Sequence, residues 1–395
     1  MKGLLSPTSG EHSRIYGLDI MRASAIMFVL LGHAEYYIGR CNSNRFFMCY
    51  KYLLVDGVSI FFVLSGFLIG GILLKTINKD NFRFRDIGSF WVKRWFRTIP
   101  NYMLILLLNI ILYIGALKID PAYYQRLYLY PFFLQSFNWT HPIFFGEAWS
   151  LCIEEWFYLL IPFGLFSLVS IAPQYRKQII FLFIFYVIIL ITYARIYRLN
   201  GHVYNLQWYD DNIRKPVVMR LDSLMYGVLG AFLSFYYNNL FYKYRKSLFF
   251  VGLAIVYIPV LLRLHIENYR LVYDLYYSLE SIGFLLLLPL LSSVKIGKGW
   301  VFNTITFISI ISYSLYLTHY SLLMYGILPF VFKWIGLDYS HSLLNAIIAL
   351  GIYLTSAITI SYFLYTYYEK PFMLLREKIE KRKQSKSKIG ELNIT

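Results

Sequence analysis

Runs of about 20 mainly apolar residues recur along the whole of this 395-residue chain, and they limit its fold more than any motif does. A backbone inside hydrocarbon must satisfy its own hydrogen bonds, so such runs become α-helices. They fall approximately at residues 17–38, 52–74, 99–117, 147–171, 178–197, 217–240, 247–264, 273–293, 303–330 and 341–368. The expected fold class is therefore all-α, a polytopic membrane protein of about ten transmembrane helices. The apolar stretch 127–137 is too short to span and is expected to be re-entrant or interfacial. With 58% hydrophobic and only 15% charged residues, the composition leaves no room for a large soluble domain.

A formal net charge of +17 suggests nucleic-acid binding, but the placement of the charges argues for membrane sidedness instead. Most of the 38 Lys and Arg residues fall in segments that an inside N-terminus would leave in the cytoplasm, as the positive-inside rule requires. An even helix count then makes both termini cytoplasmic. Residues 1–372 are read as the transmembrane domain, and 373–395, with REKIEKRKQSKSK, as a basic, disordered tail facing lipid headgroups. The polar leader before the first run lacks a small-residue cleavage site, so the first helix is expected to stay. Cys41 and Cys49 share the first outer loop, as a disulfide or as two free thiols, and Cys152 is expected to be a packing residue. There is no metal-ligand spacing, no phosphate-cradling glycine loop and no long-period repeat, so the chemistry falls to the bundle itself.

Within MRASAIMFVLLGH the first helix keeps Arg22 and His33, eleven positions apart. An ionisable group at membrane depth costs at least a few kcal/mol and is retained mainly where it meets a cavity or a partner. At about 1.5 Å per residue the two lie roughly 16 Å apart in depth. Asp19, one turn before Arg22, is placed to hold its guanidinium near the cytoplasmic mouth, and Arg suits a phosphate there. His33 has the side chain that titrates nearest neutrality, which fits general-base work on a hydroxyl, although a lone helix His is more often a packing residue. Arg94 and Arg97, one turn apart before the third run, have the spacing to grip phosphates from one direction. Ser65, Gly66, Gly70 and Gly71 leave a groove on the second helix, for packing or for a thin ligand. Glu154 shares a helix face with Ser150 and Tyr158, whereas Glu155 points about 100° away. Such a carboxylate could orient His33, hydrogen-bond an acceptor, or form an ion pair with an arginine.

In order, GLDIMRASAIMFVLLGH, GVSIFFVLSGFLIGG, FWVKRWFRTIP, WSLCIEEWFYLLIP, MRLDSLMYGVLGA, ISYSLYLTH and YYEKPF resemble the motifs of the acyltransferase 3 family, from Gly17 to Phe372. The resemblance implies a membrane enzyme of a bacterial cell membrane. It would move an acyl group, often acetyl from acetyl-CoA, onto hydroxyls of polysaccharides, lipopolysaccharide, peptidoglycan or other glycans. It implies His33 and Glu154 as catalytic and Arg22, Arg94 and Arg97 as donor-binding. Asp19, Ser65, Gly66, Ser150, Tyr158, Arg220, Asp222 and His319 are implied as supporting residues. An acyl-CoA enters as co-substrate, with no bound cofactor or metal, and the expected partners are membrane lipids and a glycan acceptor. Some relatives carry a further extracytoplasmic domain. Few residues follow Phe372, so this chain is expected to complete transfer itself or with a separate partner. Many relatives have an acidic residue where this chain has Ser59, and Asp56 is assigned no role. The alternative is a multi-helix transporter or glycan-export subunit using the same buried charges.

Overall fold

The computed structural model describes residues 14–38, 54–79, 82–200, 206–265, 270–340 and 342–379. Cys41, Cys49 and most of the basic tail lie outside them. Among the described residues ten long helices form the bundle: α1 (Tyr16–Ile38), α2 (Gly57–Ile77), α3 (Phe84–Ile110), α4 (Ala148–Ile171), α5 (Arg176–Leu199), α6 (Leu221–Tyr236), α7 (Arg245–His265), α8 (Arg270–Ser293), α9 (Gly299–Thr318) and α10 (Leu343–Leu364). Among the described residues eight helices are long and apolar enough to cross a membrane. The two others are α6, 16 residues long, and α7. The protein is thus an all-α polytopic membrane protein.

The helix boundaries depart from the apolar runs where polar residues join a helix. α3 begins at Phe84 rather than near 99, because Asp86 accepts the Arg83 backbone N–H in a capping arrangement and the helix then runs on through Pro100. It continues as a π-helix, Ile111–Ala116. α6 is shorter than the run over 217–240: Val217–Met219 form a 3₁₀ turn, and Arg220 leaves helical geometry at φ −134° before Leu221. α9 passes into a nine-residue π-helix, His319–Ile327, and then into a further helical segment, Leu328–Trp334. α10 likewise runs through a π-turn, Tyr365–Glu369, and remains helical past Phe372 to Ile379.

α2 and α6 pack backbone to backbone. A Cβ at Gly66 would lie 1.9 Å from the Leu224 carbonyl oxygen, and one at Gly227 would lie 2.1 Å from that of Val63. Gly66 and Gly70 are therefore packing residues, whereas a Cβ at Gly71 would meet nothing within 4 Å. The stretch 127–137 forms a 3₁₀ helix, Leu127–Phe132, closed by Phe133 at φ 55°. Tyr102 of α3 donates to the Tyr130 carbonyl (3.0 Å), Gln135 donates to that of Ala148 (3.4 Å), and the Val217 N–H donates to that of Ser136 (2.9 Å). These bonds fix the stretch against α3, α4 and the turn before α6.

The two ends of the described chain meet at one end of the bundle. Arg376 donates to the Lys93 carbonyl at 3.3 Å, and Arg97, one turn further along α3, lies within electrostatic range of Arg22 near the start of α1.

Candidate active site

The predicted residues gather at three levels along the bundle. At the level where α1 begins, Asp19 is buried and takes two guanidinium bonds from Arg14, at 2.8 and 3.2 Å. Arg22, expected to be its main partner, stands 3.5 Å away and donates to Ser309 of α9 at 3.3 Å. Ser309 in turn donates to Asp19 at 2.7 Å. Asp19 therefore anchors two arginines, and Arg14 escaped sequence reading because it lies just before the apolar run. Both Arg94 and Arg97 are within electrostatic range of Arg22. Arg14, within the same range, adds a fourth arginine, and the Asp19 carboxylate offsets part of their charge.

The second level is built on α3 and α4. Arg94 pairs with Glu154 at 3.3 Å, donates to the Tyr158 hydroxyl at 2.5 Å and stacks over the Tyr158 ring, 4.1 Å from its centre. Tyr158 donates to Glu154 at 2.6 Å, and Ser65 of α2 donates to the same carboxylate at 3.3 Å. The side chains of Arg94 and Glu154 keep 18% and 15% exposure. Of the three uses open to Glu154, the structure realises the ion pair with an arginine: Glu154 meets Arg94 rather than His33. The Arg94 and Arg97 pair also lies well inside α3 rather than at its start, since the helix begins at Phe84. Asn101 and Ser314 both donate to the buried Glu369, at 2.9 and 2.6 Å, and Arg97 is within electrostatic range of that carboxylate.

The third level holds the histidines. His33 of α1 faces His319 with ring centres 5.2 Å apart and Tyr320 at 4.4 Å. The ring lies within electrostatic range of Asp56, Asp210 and Arg214. Ser150, expected beside Glu154, shares a 2.6 Å hydrogen bond with Tyr316 instead, and Tyr316 also donates to the Glu147 carbonyl at 3.0 Å. Glu147 accepts the Ser321 N–H at 3.3 Å and the Ser321 hydroxyl, and so ties the start of α4 to the π-turn that carries His319.

Several partners were missed. Asp56 caps α2, accepting from Val58 N–H (3.1 Å) and Ser59 (3.0 Å), and pairs with Arg214 at 3.3 Å. Burial alone would raise its carboxyl, but Arg214 and Arg220 outweigh it and hold Asp56 below the usual carboxylate range. Arg214 also lies over Trp149, 4.7 Å from the ring centre, and pairs with Asp210 at 3.1 Å. Arg220 donates to Ser59 at 2.9 Å and sits 3.5 Å from the Tyr277 ring centre, and the Ser59 hydroxyl oxygen also lies 3.1 Å from the buried Glu280 carboxylate. Asp222 belongs to a separate pair, receiving Arg195 through two bonds of 2.7 and 2.6 Å with both side chains at 0% exposure. The signal for Arg195 was present, since it is an arginine inside the fifth apolar run, subject to the same argument as Arg22.

With this geometry, residues 15–366 match the family model described as an acyltransferase domain. The chain belongs to the acyltransferase 3 family. It is 28% identical over 337 residues to a Staphylococcus aureus (strain COL) protein provisionally named an O-acetyltransferase, covering 79% of this chain and 51% of that one. It is 33% identical over 167 residues to YrhL of Bacillus subtilis (strain 168), provisionally named a peptidoglycan O-acetyltransferase, covering 38% of this chain and 24% of that protein. The peptidoglycan O-acetyltransferase OatA of Listeria monocytogenes (strain EGD-e) is 30% identical over 168 residues, with the same shares, 38% and 24%. The chain spans about half the length of the staphylococcal relatives it matches. No solved structure matches it.

Proposed function

We propose that this chain is a membrane O-acyltransferase that moves an acyl group, acetyl in the first instance, from acyl-CoA to a hydroxyl of a cell-surface or lipid-linked glycan. The observation that carries the reading is the separation of two kinds of chemistry along α1. Arg22 stands near the start of α1 with Arg94 and Arg97 within electrostatic range, and His33, facing His319, stands eleven residues further along the same helix. The phosphates of the donor dock against Arg22, Arg94 and Arg97 at the cytoplasmic mouth, where guanidinium forks suit phosphate oxygens. An extended pantetheine arm has about the roughly 16 Å reach that this helical offset requires. His33 takes the proton of the acceptor hydroxyl as its oxygen attacks the thioester carbonyl, and the proton then passes to the departing thiolate. Glu154 and Tyr158 hold Arg94 in its donor-facing position. The names of the relatives favour a peptidoglycan acceptor, and acetyl as the group carried.

The reading is tested on the acceptor itself. Surface glycans from cells lacking the gene are compared by mass spectrometry with those from cells complemented by the wild type or by His33→Ala. Ester-linked acyl mass should return with the wild type and stay absent with the variant. Equal acyl content in all three strains overturns the surface-glycan assignment.

A further inference from the structure

His319 enters the sequence argument only as a supporting residue, yet its hydrogen bonding defines it more narrowly. Its Nδ1 lies 2.7 Å from the Tyr316 carbonyl oxygen. A carbonyl only accepts, so Nδ1 carries the proton, and in the neutral imidazole Nε2 is left with a lone pair alone. That Nε2 is buried and has no hydrogen-bond partner among the described residues, in a side chain at 0% exposure. A buried polar atom left in this way needs a reason, and a role in the reaction is one. The ring beside it is His33.

The backbone supports the same assignment. His319 is the first residue of the π-helix His319–Ile327. At an α-to-π transition the bonding register changes, and π-helical insertions in α-helices are frequent at functional sites. The segment is held from both sides: Tyr316 is bonded to Ser150 and to the Glu147 carbonyl, and Ser321 to the Glu147 carboxylate. The ring is thereby fixed in tautomer and in position.

We propose that His319 is the positioning residue for His33, its Nε2 lone pair accepting an N–H from the His33 ring when acyl transfer takes place. This rests on the reading of His33 as the general base. Two imidazoles at that spacing meet after a ring rotation, or through one water, and the bond fixes which His33 nitrogen faces the acceptor. The balance is complete. The hydroxyl O–H breaks and its proton goes to His33, whose other N–H is held by His319. The new C–O bond forms as the C–S bond of the thioester breaks, and the proton leaves His33 for the thiolate. His319 takes no proton itself and holds the His33 tautomer, as the unprotonated carboxylate does in hydrolase triads.

Four variants in the reconstituted full-length protein separate the possibilities: His319→Ala, His319→Asn, His319→Gln and His33→Ala. Asn keeps a donor near the Nδ1 position but nothing at the Nε2 position, whereas Gln reaches far enough to offer a carbonyl oxygen there. The expected result is a fall in kcat of about 10²-fold for Ala and Asn. Gln should recover much of that loss, and KM for acetyl-CoA should stay within about two-fold of wild type in all three. Wild-type kcat in the three His319 variants, with His33→Ala inactive, overturns this inference alone. An equal loss in all three, Gln included, accompanied by a lower melting temperature, also overturns it and leaves His319 a packing residue. An active His33→Ala protein overturns the parent reading and this inference with it.

Discussion

In the proposed donor site Arg94 is the residue most firmly placed, because it is gripped from three sides and still partly exposed. Glu154, Tyr158 and the face of the tyrosine ring fix its guanidinium. Glu154→Gln removes one charge-assisted partner while keeping the shape, a loss of about 1.5–3 kcal/mol for such a bond. If that loss is expressed in donor binding, KM for acetyl-CoA rises about 10-fold or more with kcat little changed, as steady-state kinetics would show. Asp56 gives a prediction of the opposite kind. Arg214 and Arg220 hold its carboxyl low, so the stability it contributes is fully present above the ordinary aspartate pKa of about 3.9 and is lost as pH falls through the lower, folded value. Thermal melts between about pH 6 and pH 8 should therefore show no pH dependence from this group, and Asp56→Asn should lower the melting temperature by the same amount at both ends of that range. Arg22 and His33 were legible in the sequence because an ionisable residue at membrane depth is conspicuous, and Arg94 because it stands one turn from Arg97. Asp56 was not, because in sequence it reads as an ordinary loop acid and its partner Arg214 lies 158 positions away.

Two helix pairs share α6, and each can be tested separately. α2 and α6 approach so closely that a methyl group at Gly66 would overlap the Leu224 carbonyl. Gly66→Ala is expected to destabilise by about 1–3 kcal/mol, the usual range for overpacking, while Gly71→Ala, where a Cβ meets nothing within 4 Å, leaves the melt unchanged. α5 is tied to α6 by Arg195 and Asp222, both wholly buried. Arg195→Met strands a buried carboxylate, at a cost of about 3–5 kcal/mol, and Arg195→Met with Asp222→Leu should recover most of that. Thermal denaturation in detergent checks both pairs. At this scale the apolar runs anticipated where the helices lie better than where they begin. Hydropathy marks what faces lipid, and it is blind to the polar first half of α3, whose start is set by the Asp86 cap. It also missed the break at Arg220, where the backbone leaves helical geometry between a 3₁₀ turn and α6. The π-turn at His319 has no composition signal, so its consequence for the histidine could only come from coordinates.

For the whole molecule, the arrangement is one of graded depth: arginines at the level where α1 begins, an Arg94–Glu154–Tyr158 group beyond them, and two histidines further along. The two ends of the described chain meet beside the arginines, and the Asp56–Arg214 group lies on the histidine side. A donor entering at one level and an acceptor at the other would meet at His33, and excluding water between them would supply acceleration through proximity. The family and the all-α membrane fold were legible from seven ordered motifs and the apolar runs. The internal pairing was not, because Glu154 had three physically reasonable partners and only the packed helices choose among them. The most direct test is steady-state transfer of acetyl from acetyl-CoA to a soluble glycan fragment by the protein in proteoliposomes. Wild type is compared with Arg22→Ala, Arg94→Ala, Arg97→Ala and His33→Ala. The account predicts that the three arginine variants raise KM for acetyl-CoA, while His33→Ala lowers kcat by about 10²-fold or more with donor KM unchanged. Wild-type kcat in His33→Ala, or unchanged donor KM in all three arginine variants, would contradict it.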